Sequence, residues 1–419
     1  MFQFFKTNSP LTPLAKRIFH VSLFITLIAL GDASLSYFVP NHIMNTFNSS
    51  ALLGVIMATS SMIGIIADLI IPQLLPKLTV KKSFSLSILF QTLFLLTLII
   101  TMFMPTVPFF ILAMGFWGIY YEFLAFSGKT FIANKVPASH HSVAWANILF
   151  GKSFAYITGP IVASFLLLGG KWPVLRAVLG LILGVQLLFL LFPFKEHSGL
   201  PTPEPPKTTP KLGLELAHWR TLFKPAWPAI TLIFAFSLID ASFWTIGAVL
   251  SEKIHATFAY SFLILPAYIM PAMLAQMFLM KKVITVHKEK FSAIFLAIGT
   301  ISTILFGLIN PGLGLLLLGL TIGFFNSLAL NLAETIFSGL GGRMGIHKQH
   351  LIGLSNSIYS LGFVIGPLLA GLLASRFHEQ FSFSFMGGIG LMASLLVLIF
   401  SPKQSQLPQK EMSTWDKDN

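Results

Sequence analysis

Apolar stretches of about twenty residues recur along the whole 419-residue chain, separated by short polar turns. No other feature constrains the fold as tightly. A helix needs about 20 apolar residues to cross the hydrocarbon core of a bilayer, and on that ruler twelve spans are expected. The first six cover residues 18–40, 51–72, 83–104, 109–133, 143–168 and 174–194. The second six cover 227–250, 258–280, 291–309, 312–338, 351–375 and 381–400. Apolar residues make up 55% of the chain and charged residues 10%, with a mean hydropathy of +0.81. A soluble protein needs far more charge to cover its surface. The expected fold class is an all-α membrane protein of about twelve transmembrane helices.

The basic residues orient these spans. With both termini assigned to the cytoplasm, 22 of the 27 Lys and Arg fall in inner segments and 4 in outer ones, with Lys152 inside a span. Such a bias sets orientation and requires an even number of crossings. The net charge of +13 is therefore topological and not a nucleic-acid footprint. The basic N-terminal segment lacks a small-residue cleavage site after the first run, so that run reads as a retained helix. There is no cysteine, which excludes disulfides, iron–sulfur clusters and thiolate metal sites. No HExxH, GxSxG or phosphate-loop pattern occurs, so hydrolytic and ATP-driven chemistry lack support. The chain is not expected to be an enzyme or to use a cofactor or a metal.

Five segments follow: a cytoplasmic N-terminus (1–17), a six-helix bundle (18–194), a cytoplasmic linker (195–224), a second six-helix bundle (225–400) and a cytoplasmic tail (401–419). The first part of the linker contains PTPEPP and a further Pro210 and is expected to be extended. Its second part places Leu212, Leu216, Trp219 and Phe223 on one helical stripe, flanked by Lys211, Arg220 and Lys224. Such a stripe fits a helix lying on the membrane surface, or simply a helical linker.

The two bundles read as copies of one another. Asp32-Ala33-Ser34 in the first span returns as Asp240-Ala241-Ser242 in the seventh, 208 residues on. Leu78–Lys82 after the second span returns as Ile284–Lys288 at an offset of 206, and Gly159-Pro160 returns as Gly366-Pro367 at 207. Three short matches at nearly one offset point to a six-plus-six duplication, a common way to build a carrier with a substrate site between the halves.

On these residues the chain resembles the major facilitator superfamily, from about residue 18 to 400. Gly151, Gly159 and Pro160 of the fifth span resemble the glycine-and-proline motif of the family's proton-driven antiporters. Gly362, Gly366 and Pro367 resemble it in the second half. Glycines at helical spacing let helices approach closely and proline bends them, so these positions are expected to serve packing and gating. The family's turn after the second span keeps its bases here as Lys77, Lys81 and Lys82. Pro72, Pro76 and Thr79 stand where glycine, acid and second glycine are usual, and Asp68 is positioned to substitute for the acid.

Charges inside the spans are the candidate site. Asp32, Asp240 and Glu122 are candidates for proton coupling, since a midplane acid costs several kcal/mol unless it is paired, hydrated or protonated. The alternative for the two aspartates is a structural role, held by neighbouring serines such as Ser36 and Ser237 or by an opposing base. Glu122 and Lys152 fall near the midplane of adjacent antiparallel spans and are expected to pair. Lys152, Tyr156, Asn331, Glu334, Asn356 and Tyr359 are the substrate-cavity candidates. Ser327, Asn331, Glu334 and Ser338 share one helical stripe.

The resemblance and these charges imply a secondary transporter working by alternating access, coupled to protons and exporting small organic or amphipathic compounds. An uptake carrier for a sugar or organic acid is one alternative. A non-transporting receptor or scaffold with the carrier fold is another. The expected partners are a small-molecule substrate, protons and the lipid bilayer, with the chain a monomer in the plasma membrane.

Overall fold

The computed structural model describes residues 13–74, 79–136, 141–191, 212–281, 287–344, 348–402 and 415. Among them every regular element is helical and no strand occurs. The first half holds α1 (Pro13–Phe47), α2 (Ser50–Leu74), α3 (Val80–Phe103), α4 (Val107–Lys135), α5 (His141–Leu168) and α6 (Lys171–Leu191). The second holds α7 (Leu212–Ser242), α8 (Ala248–Lys253), α9 (Ile264–Ile269), α10 (Pro271–Lys281), α11 (Lys288–Phe306), α12 (Leu313–Gly342), α13 (Lys348–Arg376) and α14 (Glu379–Phe400). A wide turn at Phe243–Gly247 joins α7 to α8 as one span, and α9 and α10 form another. Twelve helical stretches among the described residues are long and apolar enough to cross a membrane. Inside lipid the backbone must satisfy itself, and a helix does so within one segment.

Local chemistry sets several ends. Thr79, in the place of the family's second glycine, caps α3 by accepting from the Lys82 amide at 3.3 Å. Asn48 takes a left-handed backbone in the tight turn from α1 to α2, a conformation asparagine tolerates. Pro271 opens α10 where its missing N–H costs nothing, and the eighth span is broken there instead of running unbroken over 258–280. The expected surface helix of the linker is the start of α7 and continues into the seventh span without a break. Leu216 and Phe223 on its stripe are exposed, while Trp219 packs against the core of the second half.

The chain divides into two compact units: Met1–Thr46 with Ile66–Pro205, and Phe47–Ile65 with Pro206–Asn419. The cut falls inside the expected linker, but the first part of α2 groups with the second unit. Small residues explain this: a Cβ on Gly54 would meet the Pro367 backbone of α13, and one on Gly371 would meet Ser50 and Gly54. In the first unit α3 lies along α4, tied by Ser83 Oγ donating to the Phe123 carbonyl at 3.0 Å. In the second, α11 lies along α12, tied by Ser292 Oγ donating to the Ala329 carbonyl at 2.7 Å. The duplication thus extends to individual hydrogen bonds. Outward faces are apolar, with Leu190 80% exposed and Ile399 69%, as lipid contact requires.

Candidate functional site

Each unit buries one acid of its first helix and supplies one donor to each of its carboxylate oxygens. In the first unit Asp32 is 3% exposed on α1. Trp117 of α4 donates its indole N–H to Oδ1 at 2.7 Å, and Tyr156 of α5 donates its hydroxyl to Oδ2 at 2.7 Å. The Lys152 ammonium, one turn before Tyr156, adds a favourable charge interaction with Asp32. In the second unit Asp240 is 9% exposed on α7. Tyr268 of α9 donates to Oδ1 at 2.9 Å and Tyr359 of α13 donates to Oδ2 at 3.0 Å. Trp244 adds a further hydrogen bond, so the groups acting on Asp240 are neutral. Phe243 stacks on Tyr268 with ring centroids 4.0 Å apart and fixes that hydroxyl.

The serines do not hold these acids. Ser36 Oγ donates to the Asp32 backbone carbonyl at 2.9 Å, and Ser237 Oγ donates to the Phe234 carbonyl at 2.9 Å. A serine inside a helix reaches its own preceding turn more readily than a neighbouring carboxylate. Trp117 and Tyr268 were missed by sequence reasoning. The available signal was rarity: against 42 Phe the chain has 7 Tyr and 7 Trp, so a polar aromatic in mid-span is a selected donor.

The glycine motifs seat these clusters. On α5, a Cβ at Gly151 would collide with the Thr26 hydroxyl of α1, and one at Gly159 would lie 2.5 Å from Ala33 Cβ and 2.8 Å from the Ser34 amide. On α13, a Cβ at Gly362 would collide with the Ser237 hydroxyl of α7, and one at Gly366 would lie 2.9 Å from Ala241 Cβ. Both motifs therefore bring the fifth or eleventh span onto the first or seventh, beside the acid. Pro160 and Pro367 lie within these helices one residue later.

Other candidates are more dispersed. Glu122 is half-buried on α4, and half-buried Lys152 on α5 places its ammonium 5.7 Å from the Tyr121 ring centroid. On α12, Asn331 donates to the Ser327 carbonyl at 2.8 Å, and Glu334 is exposed and accepts from Ser355 at 3.4 Å. Asn356 is exposed on α13, one turn before Tyr359. Asp68 is half-buried on α2, Lys81 and Lys82 are exposed in the first turn of α3, and Lys77 lies outside the described residues, as does the Ser338 side chain.

Comparison with known proteins agrees with this architecture. A profile of the Major Facilitator Superfamily matches residues 21–348. A transporter of this family's type from Methanocaldococcus jannaschii, itself uncharacterised, is 24% identical over 139 residues. That match covers 31% of this chain and 35% of the relative, so it spans about a third of the relative's length. The nucleoside transporter NupG, solved as a point mutant, superposes with a TM-score of 0.73 at 13% identity, covering 92% of this chain and 100% of that one. A D-xylose–proton symporter superposes with a TM-score of 0.63 at 17% identity, covering 92% and 98%. Twelve apolar helices among the described residues, a duplicated acid-bearing first helix and a profile match over most of the length agree: the chain belongs to the Major Facilitator Superfamily and is a multi-pass membrane protein.

Proposed function

We propose that the chain is a proton-coupled secondary transporter that works by alternating access, with Asp32 and Asp240 as its proton sites, and that it exports amphipathic organic compounds. The observation that carries this reading is the repeated setting of the two acids. Each lies buried in the first helix of its half with one aromatic donor on each carboxylate oxygen. An ionised carboxylate at bilayer depth costs several kcal/mol, and neutral donors offset only part of that. A proton taken up from water removes the charge, and a change in the donors releases it. Asp32 has Lys152 acting on it as well, so its proton competes with a cation, while Asp240 has only neutral groups.

Export is favoured by the glycine-and-proline stretch of α5, which resembles that of antiporters and packs on α1 directly beside Asp32. A proton arriving at Asp32 acts on the Tyr156 bond, which crosses this same helix contact. The polar groups of α12 and α13, including exposed Glu334 and Asn356, favour a second reading, uptake of a polar metabolite such as a sugar or nucleoside.

The test is reconstitution in vesicles loaded with a pH-reporting dye. Substrate added under an imposed proton gradient should move protons, and Asp32→Asn and Asp240→Asn should each abolish that movement while the purified variants still melt cooperatively. Unchanged proton movement in both variants refutes the assignment. Accumulation of substrate along an inward proton gradient decides for uptake, expulsion decides for export, and absence of any flux favours the scaffold.

A further inference from the structure

Within the second unit, away from the buried acids, three side chains of metal-ligand type meet where α7 and α13 begin. Glu215 and His218 are one turn apart on α7, on the same helical face. His350 enters from the first turn of α13, with its Nδ1 2.7 Å from Glu215 Oε2. The rings of His218 and His350 are 4.4 Å apart. One carboxylate oxygen and one nitrogen from each imidazole lie within 4.8 Å of one another. Gly353 faces the cluster: a Cβ there would make ordinary contact with the Trp219 ring at 3.4 Å and with Glu215 Oε1 at 3.8 Å. Trp415 from the tail covers the cluster, its ring 4.2 Å from His218 and 5.6 Å from His350. His218 is 5% exposed and Trp415 4%, while the side chains of His350 and Glu215 are 21% and 17% exposed, so the cluster is partly covered and open to solvent on one side.

We propose that Glu215, His218 and His350 form a binding site for a divalent transition-metal ion of the zinc class. Two imidazoles and one carboxylate suit Zn2+ and Co2+. Hard ions such as Mg2+ and Ca2+ take mostly oxygen ligands, of which this cluster offers one side chain. Zinc bonds to nitrogen and oxygen are about 2.0–2.2 Å long, so tetrahedral ligand atoms stand roughly 3.3 Å apart. The present spread of up to 4.8 Å exceeds that spacing by about 1.5 Å. A water molecule completes the fourth position.

The site has a consequence for the fold. An ion here staples the start of α7 to the start of α13, which carries the Asp240 donor Tyr359. The pattern was hidden in the sequence. Glu-Leu-Ala-His at 215–218 supplies two ligands at helical spacing, but the third is 135 residues from Glu215.

The experiment uses the full chain in detergent, free of any polyhistidine tag and stripped with a chelator. Titration with Co2+ should give the visible bands of a tetrahedral ion, saturating at one equivalent and displaced by Zn2+. Zn2+ should also raise the melting temperature by mass action, while Mg2+ should not. The double variant His218→Gln/His350→Gln should lose both responses. Absence of the bands in the intact protein, or their persistence in the double variant, overturns the proposal. Should the double variant fail to fold, the single variant His350→Gln decides, since the His350 side chain is only partly buried. Its Co2+ bands should be lost or need far more metal, and bands of unchanged position and affinity overturn the site.

Discussion

Gly159→Ala tests whether close approach of α5 to α1 holds the Asp32 cluster together. The added Cβ would lie 2.5 Å from Ala33 Cβ, and 2.8 Å from both the Ala33 carbonyl carbon and the Ser34 amide. Carbon atoms pack at about 3.5–4.0 Å, and two of these neighbours are backbone, so α5 has to retreat by roughly 1 Å. Tyr156 sits one turn earlier on the same helix, and Asp32 precedes Ala33 on the other. Their 2.7 Å hydrogen bond crosses the strained contact, and a retreat of roughly 1 Å opens it past hydrogen-bonding range. Overpacking costs about 1–3 kcal/mol, and a lost hydrogen bond to a charged group about 1.5–3 kcal/mol. The sum is about 2.5–6 kcal/mol. Thermal unfolding of the purified variant should show a clearly lowered Tm. Gly180→Ala is the matched control. Nothing lies within 4 Å of its added Cβ, and alanine favours a helix by about 1 kcal/mol, so its Tm should hold or rise. A double-mutant cycle then isolates the bond: Tyr156→Phe should cost less in the Gly159→Ala background than in the native chain. Equal Tm for the two glycine variants, or an equal Tyr156→Phe cost in both backgrounds, refutes the reasoning.

Glu122→Gln and Lys152→Gln should be non-additive in transport, with a coupling of about 0.5–3 kcal/mol in the double variant if the two form one unit; additive losses in vesicle flux would separate them. Gln91 on α3 is 1% exposed with both amide atoms lacking a hydrogen-bond partner among the described residues, so Gln91→Met should raise Tm by relieving about 1–3 kcal/mol of unsatisfied polarity. Lys253 pairs with Glu379 on the second unit, but its side chain is 43% exposed; Lys253→Gln should cost less than about 1 kcal/mol, and a larger loss of Tm would show a stronger pair.

The sequence by itself determined the helices, their number and the duplication, and it singled out Asp32, Asp240 and Glu122 as acids inside the spans; that the first two are buried came from the tertiary structure. Hydropathy is a property of contiguous residues, and a bilayer leaves an apolar run few choices. The glycine motifs were legible too: Gly159 and Gly366 repeat at one offset and were expected to serve packing and gating, and a Cβ on either would meet the neighbouring helix. What the acids touch was decided by the tertiary structure. Ser36 and Ser237 lie within one turn of the acids in sequence, yet each turns back to its own helix. The donors to Asp32 stand 85 and 124 residues away; those to Asp240 stand 28 and 119 away, with only Trp244 supplied from the next turn. The tail residue Trp415 reached His218 by the same route. Which polar aromatic meets which carboxylate depends on the rotation, tilt and axial shift of whole helices. Those are fixed by packing summed over many residues, and no local pattern encodes them.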